Sequence, residues 1–343
     1  MALVDNSLLA ASLKENKMDF EKIFSLKVRD GFAAARRTMT PMGIDQKVSL
    51  KRDFLTNLTQ PGRTGAINNS TDFISHKERI PELKPAKVDM YMDEVALYNL
   101  RVSFLNNLDP ADVNDIYSIA GQEHIMSKVI GQIGKEVMAA VYKSALGYAA
   151  SGNTTAFQGG LNLFDGLGVK FLTGYATSGT GWVGDIPGTN KVTAAASLTE
   201  SNVIAELKKM FELIYSTAHM YDVAISDAAE DENALIISPA YFLAMVNALD
   251  ALTYKSNQLV EQGSDGVYRF KALPNVKIKQ ETFMSGVDNM FWTPKANLFY
   301  LHSMASNDIT SIKFQEQGRG VQILIDWEQN VDYADGRLIA LYK

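Results

Sequence analysis

One stretch limits what this chain can become: Asp109–Ala150 reads as a single helix of about 40 residues, ~60 Å at 1.5 Å per residue. Asp109 can serve as N-cap, Pro110 suits the first helical position, and the charge of Asp112 favours the helix dipole. Ile116, Ile119, Met126, Ile130, Ile133, Val137 and Val141 then recur at steps of three, four or seven, forming one apolar stripe. Ser151, Gly152 and Asn153 stop it, with Gly152 a ready left-handed cap. Helices of globular domains usually run about 8–20 residues, so a beam this long is expected to span more than its own local core.

The 343 residues are 46% apolar and 21% charged, the balance of a globular chain long enough for two modest domains. Cysteine is absent, which removes disulfides, thiol catalysis and zinc–thiolate sites together. No apolar run is long enough to span a membrane, and Met1–Leu13 lacks the basic-then-apolar pattern of a secretory signal. Net charge is −6 but uneven: residues 14–87 hold 15 Lys and Arg against 9 Asp and Glu, and the remainder 18 against 30. Basic and acidic halves in one chain suggest self-association through complementary patches.

In chain order, Leu8–Phe32 carries weak helical periodicity (Phe20, Ile23, Phe24, Leu26, Val28) and is expected to be a short amphipathic piece on a flexible lead. From Arg36 to Pro85, Pro41-Met42-Gly43, Gln60-Pro61-Gly62, Thr64-Gly65 and Asn68-Asn69-Ser70 are turn signals. The alternating pieces Val48–Lys51 and Phe73–His76 between them predict a long two-stranded hairpin, which is marginal alone in water and needs another surface. Val88–Leu108 is expected to be strand, and Gly159–Asn190 loops with a short hairpin. Ser197 and Glu200 form a capping-box pair before a helix ending near His219. Ala234–Ile237 is a buried strand by composition, and Pro239 starts a helix through Leu249. From Val276 onwards everything reads as strand, so the fold class is α+β.

No catalytic constellation emerges. Gly179-Thr-Gly181-Trp-Val-Gly184 fits G-x-G-x-x-G by spacing, with Glu200 further on, but no apolar strand precedes it and Pro187 follows where a helix should begin. His76, His124, His219 and His302 are dispersed, none with a partner at a recognised metal spacing. Asp227, Glu230, Asp231 and Glu232 could attract a hard cation but read as a solvated loop before the Ala234 strand. Catalytic, cofactor-binding and metal residues are therefore all expected to be none. That shifts weight to a structural protein whose arm, hairpin and beam-like helix leave faces for another subunit to cover.

The order of elements resembles the major capsid protein of tailed bacteriophages, the Hong Kong 97-like fold. Asp109–Ala150 is similar to its spine helix, Asn233–Phe242 to the strand-then-helix step of its axial domain, and Asn289–Tyr300 with Gly320–Trp327 to its closing strands. The resemblance implies an N-terminal arm (1–37), an extended E-loop hairpin (38–87) and a peripheral domain (88–154) with spine helix 109–150. An axial domain (155–285) and C-terminal strands returning to the peripheral domain (286–343) would complete it. It further implies a non-enzymatic subunit of an icosahedral virion, assembled in the host cytoplasm. Such a subunit forms hexamers and pentamers that enclose double-stranded DNA, with portal, scaffold or decoration proteins as partners and no cofactor or membrane. Two alternatives stay open: an encapsulin-like compartment shell, and a nucleotide-binding enzyme using the loop 179–184.

Overall fold

Alternating burial in the closing strands builds two sheets, and the helices arrange themselves around them. The computed structural model describes residues 6–29, 38–55, 74–105, 119–146, 159–176, 186–226, 233–252, 259–284, 290–304, 310–318 and 320–343. The chain begins with α1 (Asn6–Glu15) and α2 (Lys17–Arg29), followed by β1 (Thr40–Ile44), β2 (Leu50–Leu55), β3 (Ile74–Arg79) and β4 (Lys84–Met92). Three helices come next: α3 (Glu94–Leu105), α4 (Ile119–Lys143) and α5 (Leu167–Ala176). The short β5 (Lys191–Val192) leads to α6 (Val203–Ser216), α7 (Ala218–Ala224), β6 (Asn233–Ile237) and α8 (Pro239–Asp250). Strands β7 (Val260–Gln262), β8 (Tyr268–Phe270), β9 (Leu273–Gln280), β10 (Met290–Pro294) and β11 (Leu298–Ser303) follow. The chain closes with β12 (Thr310–Gln317), β13 (Gly320–Tyr333) and β14 (Ala340–Tyr342).

Strand β13 is the axis of a five-stranded sheet. Residues Val321–Trp327 pair with β4 on one side and β12 on the other, and its end pairs with β11, which carries β1 parallel at its free side. The second sheet runs β5-β14-β10-β6-β9-β8-β7. Its central strands are buried on both faces. Leu235, Ile237, Met290 and Trp292 point into the core of α6, α7 and α8, whereas Ala234, Ile236 and Phe291 point into the core around α4 and α5. That two-sided burial is why Ala234–Ile237 reads as a continuous apolar run.

The stripe on α4 behaves as expected: Met126, Ile130, Ile133, Val137 and Val141 are all buried. The helix nevertheless ends at Lys143, short of Ala150. Backbone groups just past it are taken by the following segment. Ser144 O accepts from Gly166 N at 2.8 Å, Ala145 N donates to Leu161 O at 3.0 Å, and Leu146 N donates to Asp165 Oδ1 at 2.7 Å. The expected start at Asp109 and stop at Gly152 lie outside the described residues.

Four expectations are corrected. Asn6–Arg29 is no loose lead: Leu9, Leu13, Phe20, Phe24 and Val28 are buried against the first sheet, with Phe24 edge-on to Trp327 at 5.4 Å and Phe20 to Phe314 at 6.2 Å. Glu94–Leu105 is helix, not strand, because Asp93 caps it by accepting from Ala96 N at 2.8 Å. Leu167–Ala176, read as loop, is helix with Leu167 and Phe171 buried. The capping box fails too. Asn202 takes that place, accepting from Thr199 N and donating to Ser197 O, while Glu200 accepts from Asn247 on α8. The C-terminal segment also divides, with β11–β13 in the first sheet and β10 and β14 in the second.

Phe24→Ala is expected to lower the unfolding free energy by about 3–5 kcal/mol, whereas Ile23→Ala, on the outward face, should change it by less than about 0.5 kcal/mol. Urea denaturation of both variants checks this.

Candidate functional site

The predicted hairpin exists as a separate ribbon. Strands β2 and β3 pair from Leu50↔Arg79 to Leu55↔Ile74, and neither is laddered to any other described strand. Both outer edges therefore lack a ladder partner among the described residues, the state that invites pairing with another chain. Below the ladder the base continues through the bridge Lys47↔Glu82, the bond from Leu83 N to Gln46 O (3.0 Å) and that from Ser49 Oγ to Glu78 Oε2 (2.7 Å). Lys47, and secondarily Lys84, hold the Glu82 carboxyl below its usual range. The segment Thr38–Lys87 is thus not all hairpin. Thr40–Ile44 joins β11 instead, and Lys84–Lys87 already belong to β4.

The ribbon base is tied to β13 by one carboxylate with two cations. Arg79 Nε donates to Asp332 Oδ1 at 2.6 Å and Lys170 Nζ, from α5, to Oδ2 at 3.0 Å. Asp332 Oδ1 also accepts from Tyr333 N at 2.8 Å, and the Arg79 guanidinium lies 4.2 Å above the Tyr333 ring. The Asp332 side chain is 4% exposed and that of Lys170 12%, so the pair is shielded from water. Burial pushes the Lys170 ammonium down from its ordinary value, and Asp332 opposes that shift. The arrangement is a mechanical anchor, fixing where the ribbon leaves the body, and its contacts suit a joint more than a reaction.

Among the described residues, those singled out as chemical candidates do not converge. Gly179–Gly184 and the acidic residues 227–232 lie outside the described residues, as does the side chain of His76. His124 sits on α4, His302 on β11 and His219 on α7. Among the described residues no group of three or more His, Asp or Glu could hold a metal ion. No described helix is long and apolar enough to cross a membrane. No sequence motif pointed to the Arg79–Asp332–Lys170 cluster. Its members are separated by 253 and 162 positions, and only the fold brings them together.

No family model matches the chain, and no curated protein matches it by sequence. Solved structures do match by shape. The satellite phage P4 procapsid, which includes the size determination protein, aligns over 94% of this chain and 98% of its own at 10% identity and TM-score 0.51. The capsid of an empty GTA particle aligns over 91% and 89% at 13% identity and TM-score 0.52, and that of the native GTA particle over the same shares at 12% and 0.51. The chain has the phage capsid fold. At this level of identity the likeness is one of backbone architecture, and it bears out the Hong Kong 97-like resemblance drawn from the order of elements.

Asp332→Asn, which removes the carboxylate paired with both Lys170 and Arg79, is expected to cost about 3–5 kcal/mol in urea denaturation. Lys170→Met, leaving the Arg79 pair intact, should cost less. A second expectation concerns His219, exposed on α7, where partial desolvation and then the charge of Arg337 hold the imidazole below the ordinary 6.5, with Asp335 opposing. Below that pH the unfolded chain binds the proton more readily than the folded one, so stability falls on acidification. The melting temperature should therefore drop between about pH 7 and pH 5, and by less in His219→Gln.

Proposed function

We propose that the chain is the structural subunit of an icosahedral virus capsid, a major capsid protein that assembles into hexamers and pentamers around double-stranded DNA. The observation that carries this reading is the match to the phage P4 procapsid protein along 94% of this chain. The ribbon β2–β3 serves as the E-loop, α4 as the spine helix, the five-stranded sheet with α1–α4 as the peripheral domain, and the seven-stranded sheet with α6–α8 as the axial domain. Its working surfaces are edges and faces that neighbouring copies cover, and it is not an enzyme. With a net charge of −6 the subunit holds DNA by enclosure instead of by gripping phosphates. Portal, scaffold or decoration proteins complete the virion, assembly takes place in the host cytoplasm, and no membrane is involved.

Negative-stain microscopy of the purified chain should reveal closed shells or rings with six- and five-fold outlines. A monomer at every concentration up to about 100 μM would overturn the reading, since subunits joined by standard-sized interfaces associate well below that. Shells that carry an enzyme cargo and no nucleic acid would assign the chain to an encapsulin-like compartment instead. The purified subunit should elute from immobilised DNA below about 100 mM salt, and retention at higher salt would count against enclosure without gripping.

A further inference from the structure

Two helices expose apolar faces that nothing among the described residues covers. On α2, Met18 and Leu26 are 70% and 59% exposed, on the face opposite Phe20, Phe24 and Val28. The same outward face carries Lys22 and, in the last turn, Arg29. On α3, Val95, Tyr98 and Val102 are 66%, 40% and 37% exposed and follow the three-then-four spacing of one helix face. This helix has only two charged residues, Glu94 and Arg101, and Asp93 is exposed immediately before it.

The two faces match in chemistry and in length. One is an apolar line ending in a cation at the helix C-terminus; the other is an apolar line beginning with carboxylates at the helix N-terminus. Met18 to Leu26 and Val95 to Val102 each cover two turns, about 11 Å. They also lie at opposite flanks of the five-stranded sheet. Phe20 packs on Phe314 of β12 and the Glu21 carboxylate accepts from Ile312 N, whereas α3 follows β4, across β13. Different surfaces on two flanks make a head-to-tail contact, which closes into a ring when the rotation permits.

We propose that α2 of one copy seats antiparallel on α3 of the next, with Leu26 beside Val95, Met18 beside Val102, and Arg29 facing Asp93 and Glu94. This rests on the capsid reading and names a contact by which its subunits join. Antiparallel packing also sets the two helix dipoles head to tail.

The cysteine-free chain makes the test clean. Full-length Leu26→Cys and Val95→Cys variants, mixed in equal amounts, assembled and then oxidised, should give a disulfide-linked dimer on a non-reducing gel. Met18→Cys mixed with Val95→Cys should not, because those positions fall at opposite ends of the pair. As a second measurement, Arg29→Glu and Glu94→Arg should each raise the half-assembly concentration by about threefold or more in sedimentation velocity, and the double variant should restore it. Unaltered protein that assembles while Leu26→Cys and Val95→Cys fail to link, or the double variant fails to recover, overturns the α2–α3 contact and leaves the capsid reading standing. Unaltered protein that never assembles overturns both. Thermal melts of the single variants separate loss of contact from loss of folding, since all five positions lie at the surface or are only half-buried.

Discussion

Backbone pairing along β13 is the constraint the rest of the molecule answers to. Within it, Val321, Ile323, Ile325 and Trp327 point one way into the larger core, and β4 and β12 satisfy its amides and carbonyls on either side. Past Glu328 every residue to its end is buried, and polar side chains there need partners: Gln329 accepts from Tyr300 at 2.7 Å, and Asp332 takes Arg79 and Lys170. Three peripheral parts are thereby referenced to one strand. The arm docks on Trp327, the ribbon leaves from Asp332, and α5 reaches the same carboxylate.

This geometry bears on assembly because it separates what is rigid from what is left open. A two-stranded ribbon has little stability of its own in water. Fixing its base through a buried carboxylate sets the direction in which its outer edges project, and those edges carry unsatisfied ladder positions among the described residues. The second sheet is the opposite case, with helices and core on both faces of β6 and β10. Subunits of a shell need both kinds of part: a body that keeps its shape, and projections completed by neighbours.

Much of the body was legible in the residues. Ala234–Ile237 and the strands after Val276 are apolar runs or strict alternations with turns between them, and Ser238-Pro239 marks a helix start by local chemistry, so each pattern has one good solution. The misread segments share a cause. Val95-Leu97 and Leu100-Val102-Phe104 alternate as a strand would, yet Leu97, Leu100 and Phe104 also follow the three-then-four spacing of one helix face, and the Asp93 cap selects helix. Leu167–Ala176 carries two glycines, which lower helix propensity, and it is helical because Leu167 and Phe171 have a core to enter. The candidate site was legible as a hairpin lacking support, while its anchor was not, since an aspartate at 332 has no local reason to meet Arg79 or Lys170.

The sequence by itself determined which segments bury themselves and with what period, because burial and periodicity are local properties of side chains. It also determined that no cysteine chemistry exists, and it indicated through element order the capsid-like plan that the solved structures share. The tertiary structure alone decided where α4 stops, how the arm lies, which strand each edge joins and where the ribbon is anchored. Those outcomes depend on hydrogen bonds and ion pairs between residues far apart in the chain, whose energies exist only after the backbone has brought the partners within reach.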